Sequence, residues 1–279
     1  MHHEPQRLCR PAAYGGRPWH PTLRLCIAAV LVFVGVSRGQ SDLFDALRDG
    51  SVDVVDALLS GGADVHRRDE SDATPLLVAL QFSAPDDVVH ALLAAGADAT
   101  VRDAAGWTTL LRALDRRASP EVVRALVAAG ADVNARDEEG GTPLMAALYR
   151  NSATPVVAEL LAGGADPRAL DHLGWPMLLL AAAHHRDPDV IRALLAAGAQ
   201  VNEPNARGTT ALMSAVVFRA PIEVVEALLA AGADVHAADE DGSTALALVA
   251  IVGAGPGVAE ALAEAEAAAR RREQMERRR

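Results

Sequence analysis

The sequence predicts an all-α dominated repeat solenoid, a stack of helix-turn-helix units with short hairpin loops between them. Three ladders of residues predict it, and all three climb in steps of 34. Gly-Ala-Asp begins at Gly62, Gly96, Gly130 and Gly164, becomes Gly-Ala-Gln at Gly198, and returns at Gly232. A second ladder runs Thr74-Pro75-Leu76, Thr108-Thr109-Leu110, Thr142-Pro143-Leu144, Pro176-Met177-Leu178, Thr210-Ala211-Leu212 and Thr244-Ala245-Leu246. The third places Asp69, Asp103, Asp137, Asp171, Asn205 and Asp239 three residues before Asp72, Gly106, Gly140, Gly174, Gly208 and Gly242. Self-similarity at a fixed period of this size is the signature of stacked units that bury their apolar faces against one another.

Residues 1–39 come first and stand outside the ladders. Arg17, His20 and Arg24 flank a run from Leu25 to Val36 that is apolar apart from Gly35, and Ser37-Arg38-Gly39 offers small residues before Gln40. This is the pattern of an export signal cleaved near Gly39/Gln40. Twelve residues form a signal core and fall short of a bilayer-spanning helix. The alternative is an uncleaved signal-anchor, in which residues 25–36 touch the membrane while the body is translocated. Both cysteines, Cys9 and Cys26, lie in this segment, so the processed chain would be free of thiols.

Within each unit the residue types fit their slots. Thr in Thr-Pro-Leu can cap a helix, and Pro at the first helical position has no amide to leave unpaired. Ser119-Pro120, Thr154-Pro155 and Asp187-Pro188 repeat that chemistry before the second helix. Gly96 and its counterparts suit the left-handed residue that ends a helix, and the Gly106 series suits the reversal at a hairpin tip. Leu76, Ala79, Leu80, Val88, Val89, Leu92 and Leu93 recur at helical spacing as the buried face. The residue that lengthens the step to 34 falls between the two helices, around Ser83-Ala84. The first unit, from Ser41, lacks a hairpin, and the array spans residues 40–265 as about seven repeats including both caps. Residues 266–279, rich in Arg, continue it as a basic C-terminal helix extension.

These ladders resemble the ankyrin repeat, in a bacterial-type version with 34-residue steps behind an N-terminal signal sequence. The resemblance covers about residues 41–265 and implies a protein-binding scaffold. One departure stands out: the His that follows Thr-Pro-Leu in ankyrin repeats is Leu77, Leu111, Met145, Leu179, Met213 and Ala247 here. Apolar packing must then replace its inter-repeat hydrogen bonds.

Charge and composition narrow the function further. Apolar residues make up 51% of the chain but aromatics only 3%, so Ala, Leu and Val must supply the core. The net charge of −11 divides into +4 for residues 1–39, −18 for 40–265 and +3 for 266–279. An acidic body argues against nucleic acid as a ligand. All 26 basic residues are Arg, which removes phosphate-loop, Schiff-base and general-base lysine chemistry. The periodic carboxylates Asp64, Asp98, Asp132, Asp166 and Asp234 read as structural, and His66 and His236 share a turn slot with Asn134 and Asn202. His184-His185 reads as a solvated inter-helix loop, without a third or fourth metal ligand at any suitable spacing. The sequence therefore predicts no catalytic site, no metal and no cofactor.

Recognition should use slots that break the repeat. Trp107 and Trp175 precede the capping slot where other repeats carry Ala73, Gly141, Thr209 and Ser243. With layers about 10 Å apart they would stand roughly 20 Å from one another. Phe82, Arg116, Arg150, His184 and Phe218 share a neighbouring slot, with Tyr149 beside it. Aromatic and Arg side chains are favoured at binding hot spots. The acidic tips Asp69, Glu70 and Asp72, Asp137-Glu138-Glu139 and Asp239-Glu240-Asp241 would steer a basic partner. The expectation is a monomeric, non-enzymatic interaction module acting in the periplasm or as a secreted protein. The alternative is a membrane-anchored scaffold held by residues 25–36 and the Arg-rich tail.

Overall fold

A computed structural model of the chain describes residues 42–255 and 257–279. The export signal, its cleavage point and the alternative anchor, all within residues 1–40, lie outside the described residues. Fourteen helices and no strands occur among the described residues. They pair as α1 (Leu43–Asp49) with α2 (Val52–Ser60), α3 (Pro75–Gln81) with α4 (Asp86–Ala94), and α5 (Thr109–Asp115) with α6 (Pro120–Ala128). The series continues with α7 (Pro143–Tyr149) and α8 (Thr154–Ala162), then α9 (Met177–His184) and α10 (Pro188–Ala196). It closes with α11 (Ala211–Val217) and α12 (Ile222–Ala230), then α13 (Ala245–Val252) and α14 (Val258–Glu276). First helices stack on first helices and second helices on second, so each pair is one layer of the array.

Hairpins between the pairs explain the Asp ladder. One side-chain oxygen of Asp69, Asp103, Asp137, Asp171, Asn205 and Asp239 accepts from the amides two and four residues on, at 2.7–3.1 Å. A single oxygen thus satisfies two backbone donors that a tight tip would leave unpaired. The next slot turns the chain with positive φ, from 62° at Asp72 to 82° at Gly140. Inter-strand pairing at these hairpins is confined to isolated bridges, Arg102 with Thr108, Leu170 with Pro176 and Ala238 with Thr244.

Caps follow the sequence at most positions. Thr74, Thr108, Thr142, Thr210 and Thr244 each accept from the amide three residues on, at 3.2–3.5 Å. Ser119 does the same for Val122 at 3.2 Å, and Asp187 accepts from Asp189 at 3.0 Å. Thr154 departs from its expected role. Helix α8 starts at Thr154 with Ala153 as N-cap, and the Thr154 hydroxyl donates across the layer to Asp187. Second helices end in the anticipated turn: the amide after the Gly96-series glycine reaches back to the helix, as Ala97 does to Leu92 O at 3.0 Å.

The core is one aliphatic seam running through all the layers. Leu77, Leu111, Met145, Leu179 and Met213, which stand where ankyrin repeats place His, are all buried, and Ala247 in the same slot is exposed. Layers are also tied by side chains: Asn134 donates to Gly164 O at 2.9 Å and accepts from the Asp166 amide at 2.9 Å. Asn202 repeats this with Gly232 and Asp234 at 3.2 and 2.8 Å. On the last layer, three slots that hold larger aliphatics elsewhere hold alanine. Ala247, Ala259 and Ala263 are exposed, where Met213, Val225 and Leu229 of the preceding layer are buried or half-buried.

The loop between first and second helices carries the largest local departure. In four repeats it turns through a left-handed residue, Ser83, Arg117, Asn151 or Arg219, with φ of 51–58°. That residue is exposed, and the next one, Ala84, Ala118, Ser152 or Ala220, tucks inward. The fifth repeat inverts this order. His185 is extended at φ −92° and only 2% exposed, and Arg186 points outward. The solvated His184-His185 loop expected from sequence is therefore corrected: His184 ends α9 and His185 is buried. Arg186 supplies the reason, since a guanidinium cannot occupy the small inward slot that Ala84 or Ala220 fills without burying its charge.

Candidate protein-binding surface

The recurring slots next to the first-helix C-termini bring several of the singled-out residues together. Tyr149 at the end of α7 lies 5.3 Å, centroid to centroid, from His184 at the end of α9. His184 lies 5.9 Å from Phe218, and Phe218 meets Trp175 edge-on at 6.2 Å. Four aromatic rings from three successive repeats thus form one continuous track, in which the Trp175–Phe218 pair has the edge-to-face geometry that ring quadrupoles prefer. Phe218 and Tyr149 remain 41% exposed each, so the track presents apolar area to solvent.

Each member is positioned by its own repeat. The Tyr149 hydroxyl donates to Asp171, whose other oxygen closes the hairpin through the Leu173 and Trp175 amides at 2.8 and 2.7 Å. Burial, reinforced by the Asp171 carboxylate, pushes the Tyr149 phenol above its ordinary value and keeps it a donor. Trp175 packs against the core seam while its ring edge meets Phe218. A half-buried indole of this kind contributes to stability as well as to the surface.

The other candidates sit apart from this track. Trp107 is half-buried under Arg112, whose guanidinium lies 4.6 Å from the ring centroid and pairs with Asp103. Cation–π contact and the ion pair bind that indole into its own repeat. Arg116 and Arg150 converge instead on Asp115, at 3.5 and 2.5 Å. Phe82 is 50% exposed on the second repeat.

Five exposed apolar residues were missed by sequence reasoning: Leu170, Leu173, Val217, Ile251 and, near the end of α14, Met275. Val217 and Ile251 occupy the slot of Tyr149 in later repeats, and Leu173 sits on the hairpin of Trp175. Comparing that slot down the ladder, Gln81, Asp115, Tyr149, Ala183, Val217, Ile251, would have shown the polarity falling toward the C-terminal repeats. Tip acids divide into two sets. Asp69, Asp137 and Asp239 use one oxygen on hairpin amides, whereas Asp72 and Glu240 pair with Arg68 and Arg207 at 2.9 and 2.7 Å.

This layered architecture has clear counterparts among known proteins. Residues 43–137, 76–171 and 144–239 each match the family described as Ankyrin repeats (3 copies). The chain belongs to the ankyrin-repeat family. The solved ankyrin repeat domain of Bcl-3, described as a unique member of the IkappaB protein family, shares 30% identity and superposes with a TM-score of 0.61. That comparison covers 75% of this chain and 94% of that one. The human ASB11 ankyrin repeat domain superposes at 0.63 with 23% identity, over 81% of this chain and 98% of that one, and supports the fold alone. No curated protein matches the sequence. Ankyrin repeats are protein–protein interaction modules, so binding is read from the surface of the array. No helix among the described residues is long and apolar enough to cross a membrane.

Proposed function

We propose that the chain is a non-enzymatic protein-binding module acting outside the cytoplasm, periplasmic or secreted. It takes its partner on the first-helix surfaces and hairpin tips of repeats four to seven. The observation that carries this reading is the track Tyr149, His184, Phe218 and Trp175, extended by exposed Leu173, Val217 and Ile251. Contiguous apolar and aromatic area of this kind, rimmed by polar side chains, is what partner-binding surfaces use. Export is supported by the basic flank, apolar run and small-residue site of residues 17–40. The acidic tips add steering toward a basic partner, which raises association rates at low salt.

Site-specific photo-crosslinking tests the surface. A crosslinker at Val217 or Ile251 should capture one discrete species from the cells that make the protein. The same group at His90 or Arg192, exposed on second helices, should not. Phe218→Ala should abolish the product while the circular dichroism spectrum stays unchanged. Equal capture from both faces would overturn the assignment. Cell fractionation with N-terminal sequencing tests location, and a chain retained in the cytoplasm with residues 1–39 intact would refute export.

A further inference from the structure

The inverted loop of the fifth repeat does more than break a pattern, because it buries a titratable ring with no carboxylate bonded to it. His185 Nε2 is enclosed and has no hydrogen-bond partner. The ring lies against the carbonyls of Ala147 and Leu148 at the end of α7, in the layer before its own. The groups that could answer a positive charge there are already engaged. Asp187, two residues on, accepts from the Asp189 amide and from Thr154 of α8. On α10, Asp189 pairs with Arg192 at 2.5 Å. From α7, Tyr149 donates to Asp171, and Arg150 beyond it pairs with Asp115. Helix α11 carries no ionisable side chain, and Arg186 bonds the Arg219 carbonyl that follows it. The remaining neighbour, His184, would add like charge if protonated.

We propose that the α9–α10 loop is a pH-gated latch, in which protonation of His185 expels its ring and opens the loop that holds His184 in the aromatic track. Two features of the geometry support it. The backbone there is held by one helical bond, His185 N to Ala181 O at 2.8 Å. The second, third, fourth and sixth repeats keep a longer reach, such as Ala84 N to Ala79 O and Ala220 N to Ala215 O, that clamps the loop from its far side. Solvent is also within reach of this slot, since its counterparts Ser83, Arg117, Asn151 and Arg219 are all exposed. With Arg186 kept outward, the open loop is a looser turn and not the left-handed one of those repeats.

Direction follows from linkage. Burial holds the His185 ring below the ordinary imidazole value, against the opposite pull of the Ala147 and Leu148 carbonyls and of the Asp187 carboxylate. The closed loop therefore binds fewer protons than the open one. Its stability is complete above the ordinary value of about 6.5 and is lost as pH falls toward the folded value. The open-to-closed ratio should rise by up to about tenfold per pH unit across that window.

Amide hydrogen exchange of residues 181–188 from about pH 8 to about pH 5, corrected for the intrinsic exchange rate, tests the latch without any partner. The wild-type chain should lose protection there with that slope, while residues 113–120, the same loop of the third repeat, change little. His185→Asn, matching Asn151, and His185→Met, which fills the site without a charge, should both give flat profiles. A flat wild-type profile, or the same slope in both variants, would overturn the proposal.

Discussion

Asp171 joins two repeats through one carboxylate, and the consequence can be worked out from its three bonds. Asp171→Asn keeps an oxygen for the Leu173 and Trp175 amides, as Asn205 does natively for Arg207 and Thr209 at 3.0 Å each. What it removes is the charged acceptor of the Tyr149 hydroxyl, a bond between α7 and the next hairpin. Hydrogen bonds to charged groups contribute about 1.5–3 kcal/mol, and Tyr149 is part-exposed, so a loss of about 1–2 kcal/mol is expected. Asp171→Ala removes all three bonds. Water reaches the hairpin tip, where Leu173 is 60% exposed, so its cost should stay near 3–4 kcal/mol and not reach the sum of three buried bonds. For an array of this size those values lower Tm by about 2–4 °C per kcal/mol. The assay is urea unfolding followed by circular dichroism, as a double-mutant cycle with Tyr149→Phe. Coupling between Tyr149→Phe and Asp171→Asn should be about 1 kcal/mol. Additive effects, or Asp171→Asn as costly as Asp171→Ala, would refute the bond's role as a tie between layers.

Arg186→Ala should restore the left-handed loop of the other repeats, because Ala fits the inward slot; the His185 ring would then titrate near the ordinary imidazole value by NMR. Gly174→Ala and Gly208→Ala both place a side chain at positive φ, 75° and 76°. The second should cost more in urea unfolding, by about 1 kcal/mol or more, because its Cβ would lie 3.1 Å from the Asp239 Cα while the first meets nothing within 4 Å. The Thr154 hydroxyl holds the Asp187 carboxyl below its ordinary value of 3.8, so that contribution exists above about pH 4 and is lost on acidification. Thr154→Val should move the Asp187 titration upward by NMR and flatten the acid limb of the stability profile.

Most of the fold was legible because the ladders encode local chemistry. Thr108 caps α5 and Gly130 ends α6 through backbone needs that any copy of the repeat shares. The slots that failed did so where a neighbouring layer intervened. Thr154 read as a cap from its Pro155, yet its hydroxyl found Asp187 some thirty residues on, a partner that no local window contains. His185 read as solvated because adjacent histidines are polar; its burial is dictated by the size of Arg186 against the Ala84 and Ala220 slot. For the binding surface, sequence placed His184 and Phe218 in one slot, with Tyr149 beside it and Trp175 in a neighbouring slot. Their contact depends on the stacking distance between layers, and so does the engagement of Trp107 by Arg112. Conversely, Arg116 and Arg150 looked like free anchors but are drawn to Asp115, whose role only the stacked layers show.

The alanines of the last layer set how readily the array can grow. A further unit laid on Ala247, Ala259 and Ala263 would meet methyl groups where Met213, Val225 and Leu229 grip the layer before, forfeiting several methylenes of burial at about 0.8 kcal/mol each. Elongation, whether by recombination within a gene or by stacking of a neighbouring molecule, is thereby discouraged at this end. Anyone wishing to lengthen the array would have three side chains to enlarge before adding a single residue.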